Sequence, residues 1–185
     1  SKGEAQYFTR GSNRRMQQVQ AAMLIQQIDK LKKDTARRQA NAEYLAQKLA
    51  DIPGIHPVTL AKNSKPVWHL FPVRYDAEQF SGLPKGKFLD ALNAEGIPAG
   101  GGYHEQYFDG LIDEAIASRG YKRLFSEQRL RDYRDSLNNL RGNKKVCDTA
   151  VTFSQNLLLG EQKDMDDIVS AIARIQRFSA DLKQA

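Results

Sequence analysis

The chain reads as an α+β protein: one long N-terminal helix, then a small, mainly antiparallel sheet with helices packed on it. Three observations predict this. Glycine and proline are absent from Ser12 to Ile52, where apolar residues recur at steps of three and four. Residues 66–75 alternate in the manner of a strand. A second apolar stripe at helical spacing closes the chain from Met165 to Leu182.

The long helix covers residues 16–50, with its stripe running from Met16, Val19 and Met23 to Leu45 and Leu49. Ala, Gln, Lys and Leu dominate it, and Pro53-Gly54 ends it. At 1.5 Å per residue it extends roughly 50 Å. That is more than a compact domain of this size needs, so it bridges two domains or reaches across an oligomer. Ile55–Val58 is a short strand. In the next strand, Pro66–Tyr75, residues Val67, His69, Phe71 and Val73 alternate against Trp68, Leu70 and Arg74; Pro72 suggests an edge or a bulge there. Lys85–Glu95 is a helix with Phe88, Leu89 and Leu92 on one face, and Gly96 caps it. Gly100-Gly101-Gly102 follows as a loop, then short helices and loops over 107–142, a helical turn at Lys144–Thr149 and a strand at Val151–Phe153. In the last helix, Ile168, Val169, Ile172, Ile175 and Phe178 form the stripe, with Asp164 as N-cap and Asp167 three residues on.

With 185 residues, 41% of them hydrophobic and 9% aromatic, the chain can build one ordinary core. No apolar run approaches the ~20 residues of a membrane span. One cysteine, Cys147, excludes an intrachain disulfide, and three histidines make no metal constellation. No secretion signal is visible, so the expected compartment is the cytoplasm. The net charge of +6 sits entirely on residues 1–50, where ten Lys/Arg face four Asp/Glu; residues 51–185 hold eighteen of each. Such a segment suits nucleic acid, an anionic surface or a phosphorylated ligand, or is an ordinary solvated helix face.

Several residues carry possible chemistry. Gly100-Gly101-Gly102 could cradle a phosphate, but it opens no helix in a recognised phosphate-binding pattern, and a flexible turn is favoured. His104, between Tyr103 and Glu105, could serve as an acid/base group, though a surface histidine is the commoner outcome. Cys147 lies near Lys144 and Lys145, yet a packed structural thiol is favoured. Asp164, Asp166 and Asp167 suit helix capping better than calcium. Trp68 is expected in the core. The turn Gly11-Ser12-Asn13-Arg14-Arg15-Met16 differs from these. Two guanidinium groups and an amide stand where free N–H groups and the helix dipole already favour an anion. Anion binding there balances against a capped helix with solvated arginines.

The block Gly11-x-Asn13-x-Arg15-Met16, followed by Gln20-Ala21-Ala22 and Arg38-x-x-Asn41-Ala42-x-x-Leu45, resembles the DegT/DnrJ/StrS family of pyridoxal-phosphate sugar aminotransferases. The likeness continues through Pro53-Gly54-Ile55, Trp68-His69-Leu70-Phe71 and Gly96-Ile97-Pro98, and ends in Leu158-Leu159-Gly160 and Asp164-Met165-Asp166-Asp167-Ile168. The tail is most similar to the branch with cyclitol and aminohydroxybenzoate-type enzymes. The resemblance implies the C-terminal portion of a fold-type-I enzyme: residues 1–15 a remnant of the large-domain connecting turn, 16–52 a connecting helix, 53–185 a small domain. It places the Schiff-base lysine upstream, so no catalytic residue is expected in this chain. Lys2 is rejected, being too close to Asn13.

The resemblance also implies that Asn13 binds the phosphate of pyridoxal 5′-phosphate in the neighbouring subunit of a homodimer. It makes Arg15, Tyr103 and His104 substrate-binding candidates. The implied reaction carries an amino group from glutamate or glutamine to a keto sugar, nucleotide sugar or cyclitol. Two departures bear on the substrate: Arg14 stands where the family usually has an aromatic residue, and 103–108 lacks the usual proline. The alternatives are a dehydratase of the same family and a basic helical nucleic-acid-binding module; the latter has no aromatic platform to support it.

Overall fold

The structure is a computed structural model that describes residues 15–184. The chain divides into two compact units, residues 1–36 and 37–185. In the described part of the first, the helix α1 (Gln18–Ala50) begins, with Val19, Met23, Ile28 and Leu31 all more than half exposed. The apolar stripe expected along this helix is therefore buried only in its later turns, at Ala42, Leu45 and Leu49.

The second unit is built on a four-stranded antiparallel sheet in the order β1-β2-β4-β3: β1 Ile55–Pro57, β2 Leu70–Tyr75, β3 Ala99–Gly100 and β4 Ala150–Ser154. In register, Phe71 faces Phe153 and Val73 faces Val151 on the central pair. Those four residues and Tyr75 alternate onto one face and are buried. With them pack Leu45 and Leu49 of α1, Phe88 and Leu92 of α2 (Lys85–Ala94), and Ile168, Ile172 and Ile175 of α7 (Gln162–Arg177). Tyr75 stacks on Phe88 with ring centroids 4.4 Å apart.

Local chemistry sets the element ends. Helix α2 closes with Gly96 at φ +83°, Gly96 N–H on the Asn93 carbonyl and Ile97 N–H on that of Leu92, a paired closure that satisfies two end carbonyls. Helix α7 opens with a reciprocal capping box between Glu161 and Asp164. The N-cap is thus Glu161, and Asp164 is its third-position partner; the expected Asp164/Asp167 pair is displaced by one turn. The closing helix is also shorter than expected. It breaks at Phe178, which is about half exposed, and resumes as α8 (Ser179–Gln184), with buried Ser179 held 3.1 Å from the Ser81 hydroxyl.

Three further expectations are corrected. Strand β2 starts at Leu70, not Pro66, because Trp68 adopts φ +52°, a conformation that interrupts an extended chain. That turn carries the indole into the core beside Phe71, at 5.2 Å, while Val67 and His69 stay exposed. Pro72 lies in an interior strand; it is accommodated where β1 has already stopped, opposite Val73. Gly100 belongs to β3, paired with Thr152, rather than to a free loop. Between β3 and β4 the chain makes α3 (Leu111–Ala117), α4 (Arg119–Leu124), α5 (Glu127–Ser136) and α6 (Arg141–Thr149).

Candidate functional site

The face of the sheet opposite the core is the floor of a cleft. Because side chains alternate along a strand, Leu70, Pro72, Ala150 and Thr152 point away from Phe71, Val73, Val151 and Phe153. They line a cleft of about 970 Å³. One wall is the segment from Gly102 to Tyr107; the other includes Asn143, Val146 and Cys147 of α6, with Leu111 and Ile112 of α3 beside them. The lining mixes aliphatic carbon with hydroxyl, amide and imidazole groups, the composition of a small-molecule site.

Its polar groups are ordered by short-range partners. The Tyr107 hydroxyl donates to Glu105 Oε1 at 2.5 Å, and the Tyr107 side chain is buried. That bond to a carboxylate, with burial, pushes the phenol pKa above its ordinary value, and the Asn143 amide pulls the other way. Tyr107 therefore stays a neutral hydroxyl. His104 Nε2 lies 2.6 Å from Asp109 Oδ1, which orients an otherwise exposed ring. On α6, Lys144 is 3.0 Å from Asp148, whose hydrogen bond raises the lysine pKa.

The structure brings Tyr103 and His104 together at this cleft, both with exposed side chains. Cys147 is half-buried and lines the same cleft. Arg15 is exposed just before α1, in the first unit. Asn13 and the rest of its turn, like Lys2, lie outside the described residues. Asp164 is absorbed by the α7 cap, and Asp166 accepts from the Tyr44 hydroxyl at 2.6 Å. Among the described residues, no group of His, Cys, Asp and Glu is spaced to hold a metal ion, and no helix is long and apolar enough to cross a membrane.

Sequence reasoning missed the cleft floor and the Glu105–Tyr107 pair. Period-two reading of 150–154 would have shown Ala150 and Thr152 on the outer face, and Glu105-x-Tyr107 was visible as neighbours. It did find two motif blocks whose connection only folding reveals. Asn41 Nδ2 donates to the Leu158 and Gly160 carbonyls, at 2.9 and 3.0 Å, and Arg37 Nε donates to Gly160 O at 2.9 Å.

The fold is similar to part of the crystal structure of 3-amino-5-hydroxybenzoic acid (AHBA) synthase. The match has a TM-score of 0.64 at 19% identity, covering 94% of this chain and 42% of that one. The chain belongs to the DegT/DnrJ/EryC1/StrS aminotransferase family, whose profile matches residues 1–117. It is 31% identical over 179 residues to an L-glutamine:2-deoxy-scyllo-inosose aminotransferase of Streptoalloteichus tenebrarius, covering 94% of this chain and 40% of the relative. The enzyme of the same name from Streptomyces paromomycinus is 30% identical over 176 residues, covering 92% and 40%. The chain thus spans about 40% of the length of these curated relatives.

Proposed function

We propose that this chain serves a pyridoxal-phosphate-dependent aminotransferase that moves an amino group from glutamine or glutamate to a keto cyclitol or related keto sugar in the cytoplasm. The observation that carries the reading is the match, over more than nine-tenths of this chain, to two relatives that both aminate a scyllo-inosose. The cleft chemistry supports it. A polyhydroxylated ring has an apolar C–H face, which Leu70 and Pro72 can cover, and a rim of hydroxyls. Tyr103, His104, Gln106 and Asn143 can bond that rim.

The residues near the start of α1 suit a phosphate. The first turn of α1 holds no acidic side chain, and Arg15 is exposed beside it. When bound, the cofactor supplies the electron sink that amino-group transfer requires. The chain's own part is to anchor the phosphate through Asn13 and to bind the acceptor through Arg15, Tyr103 and His104. Asn13 acts on the neighbouring subunit's cofactor, so the enzyme is a homodimer. The exposed stripe of Val19, Met23, Ile28 and Leu31 supports an assembly, since contiguous apolar surface marks a contact face. The excess positive charge of residues 1–50 then serves an anionic cofactor rather than nucleic acid.

The test uses the complete enzyme with pyridoxal phosphate, glutamine and 2-deoxy-scyllo-inosose. The expected result is glutamine-dependent amination of the ketone; loss of water without amination would replace this reading with the dehydratase. Asn13→Ala removes a hydrogen bond to a charged acceptor, worth about 1.5–3 kcal/mol, or roughly ten- to a hundredfold in cofactor retention. Heterodimers of Asn13→Ala subunits with subunits lacking the Schiff-base lysine should recover about one site's activity. No recovery in proven heterodimers would mean that Asn13 serves its own chain or no phosphate.

A further inference from the structure

Lys85, the first residue of α2, is half-buried and has no carboxylate partner among the described ion pairs. Its ammonium instead donates to two backbone carbonyls. One is Cys147 O, at 2.6 Å; the other, more weakly, is Gly101 O, at 3.5 Å. The first belongs to the last turn of α6, where carbonyls lack an intrahelical donor and carry the negative end of the helix dipole. A cation there makes a charge-assisted bond, stronger than a neutral one. The second belongs to the glycine segment that leads into Gly102, Tyr103 and His104. A Cβ at Gly101 would stand 3.6 Å from Lys85 Nζ and 3.7 Å from Leu89 Cδ1, so the segment lies close against the lysine stem.

The two carbonyls stand at the roots of opposite cleft walls. Cys147 leads through Thr149 into β4, whose Ala150 and Thr152 are the floor; Gly101 leads into the Tyr103 wall. Two further bonds hold the same corner: Thr152 Oγ1 to Gly100 O at 3.3 Å, and Asn93 Nδ2, also on α2, to Ala99 O at 3.3 Å. Lys85 is the one member of this set that reaches both walls, and it does so from beneath the cleft rather than from its lining.

We propose that Lys85 is a positioning residue for the acceptor: a strut that fixes the separation of the glycine segment and the end of α6, and so the width of the cleft. It touches neither substrate nor cofactor. The substrate side of this inference rests on the cleft being the acceptor site, and the experiment separates the two. In the complete enzyme, Lys85→Met keeps the stem and removes the charge and donors. The acceptor KM should rise about tenfold, the scale of one lost hydrogen bond to a charged group, while kcat at saturation stays within about twofold. Lys85→Arg, which keeps charge and donors, should recover most of the KM. A merely structural loss would lower kcat through less active enzyme and leave KM alone, and that result overturns the proposal.

The strut is also read without turnover. Cys147 lies in the cleft wall, and its carbonyl is the one Lys85 holds. Peptide-mapped alkylation of Cys147 should quicken about tenfold in Lys85→Met and return toward wild type in Lys85→Arg. Faster alkylation with unchanged acceptor KM would keep the strut and remove the cleft from acceptor binding, which overturns the proposed role. Unchanged alkylation overturns the strut itself.

Discussion

Replacing Asn41 with alanine tests the staple between α1 and the turn before α7. The side-chain amide donates to two carbonyls, Leu158 O at 2.9 Å and Gly160 O at 3.0 Å, and Gly160 O accepts a further bond from Arg37 Nε at 2.9 Å. Asn41→Ala therefore leaves Gly160 O with one donor and takes the side-chain donor from Leu158 O, in a residue that is fully buried. Two bonds at about 0.5–1.5 kcal/mol each place the loss near 2 kcal/mol. For a protein of this size that is a fall in Tm of roughly 4–8 °C. Arg37→Ala alone should cost under about 1 kcal/mol, because Asn41 still serves Gly160 O. The double variant then strips that oxygen of both donors, so its loss should exceed the sum of the singles by about 1 kcal/mol. Urea unfolding of the four proteins measures all three quantities. Strict additivity, or a fall in Tm under about 1 °C for Asn41→Ala, would refute the shared-acceptor reasoning.

Two further outcomes are expected. Gly54 and Gly96 both sit at positive φ, +88° and +83°, but a Cβ at Gly54 would lie 2.6 Å from Gln79 Cβ and 3.0 Å from Phe80 Cε2, while at Gly96 it meets nothing within 4 Å. Gly96→Ala should cost about 1 kcal/mol of backbone strain and Gly54→Ala about 2–4, since overpacking adds to the strain; equal losses in urea unfolding would remove the packing contribution. Tyr75 is buried with its hydroxyl on Leu83 O at 2.8 Å, and burial, then Asp76, raises its pKa above 10.0. A raised pKa favours the folded state while the phenol is protonated, so this stability is complete below pH 10.0 and is lost as pH rises toward the folded value. Tm measured from about pH 9 to 11 should therefore fall less steeply in Tyr75→Phe than in wild type, and parallel curves would contradict the assignment.

Periodicity and end signals made much of this architecture legible before folding. Helix α1 is visible because nothing in it interrupts the backbone, and α2 because Gly96 supplies the left-handed closure its last turn needs. The alternation that buries Phe71, Val73 and Tyr75 is equally plain. Legibility failed where a single residue breaks its own pattern. Trp68 belongs to the core by type, yet reaches it through a left-handed backbone conformation, and no alternation rule encodes that. It failed again where a partner is distant in sequence. The bonds of Lys85 to Cys147 and of Asn41 to Leu158 each join residues of ordinary local meaning across long stretches of chain. Of the candidate site, Tyr103 and His104 were nominated by residue type, while the cleft they line arises only when β4 lies beside β2.

Strands β3 and β4 are hydrogen-bonded neighbours, yet everything from Gly101 to Thr149 is strung between them. Topologically the stretch is a hairpin loop that has swollen into four helices. Its ends are pinned one strand-spacing apart whatever lies between, and doubling such a loop costs only about 0.6 kcal/mol in closure entropy. Both walls of the cleft come from this one continuous insert, whereas the hydrophobic interior comes from the rest. The insert is consequently an exchangeable cassette. Grafting a different 101–149 onto the same two strand ends should replace both cleft walls while leaving the core cluster in place.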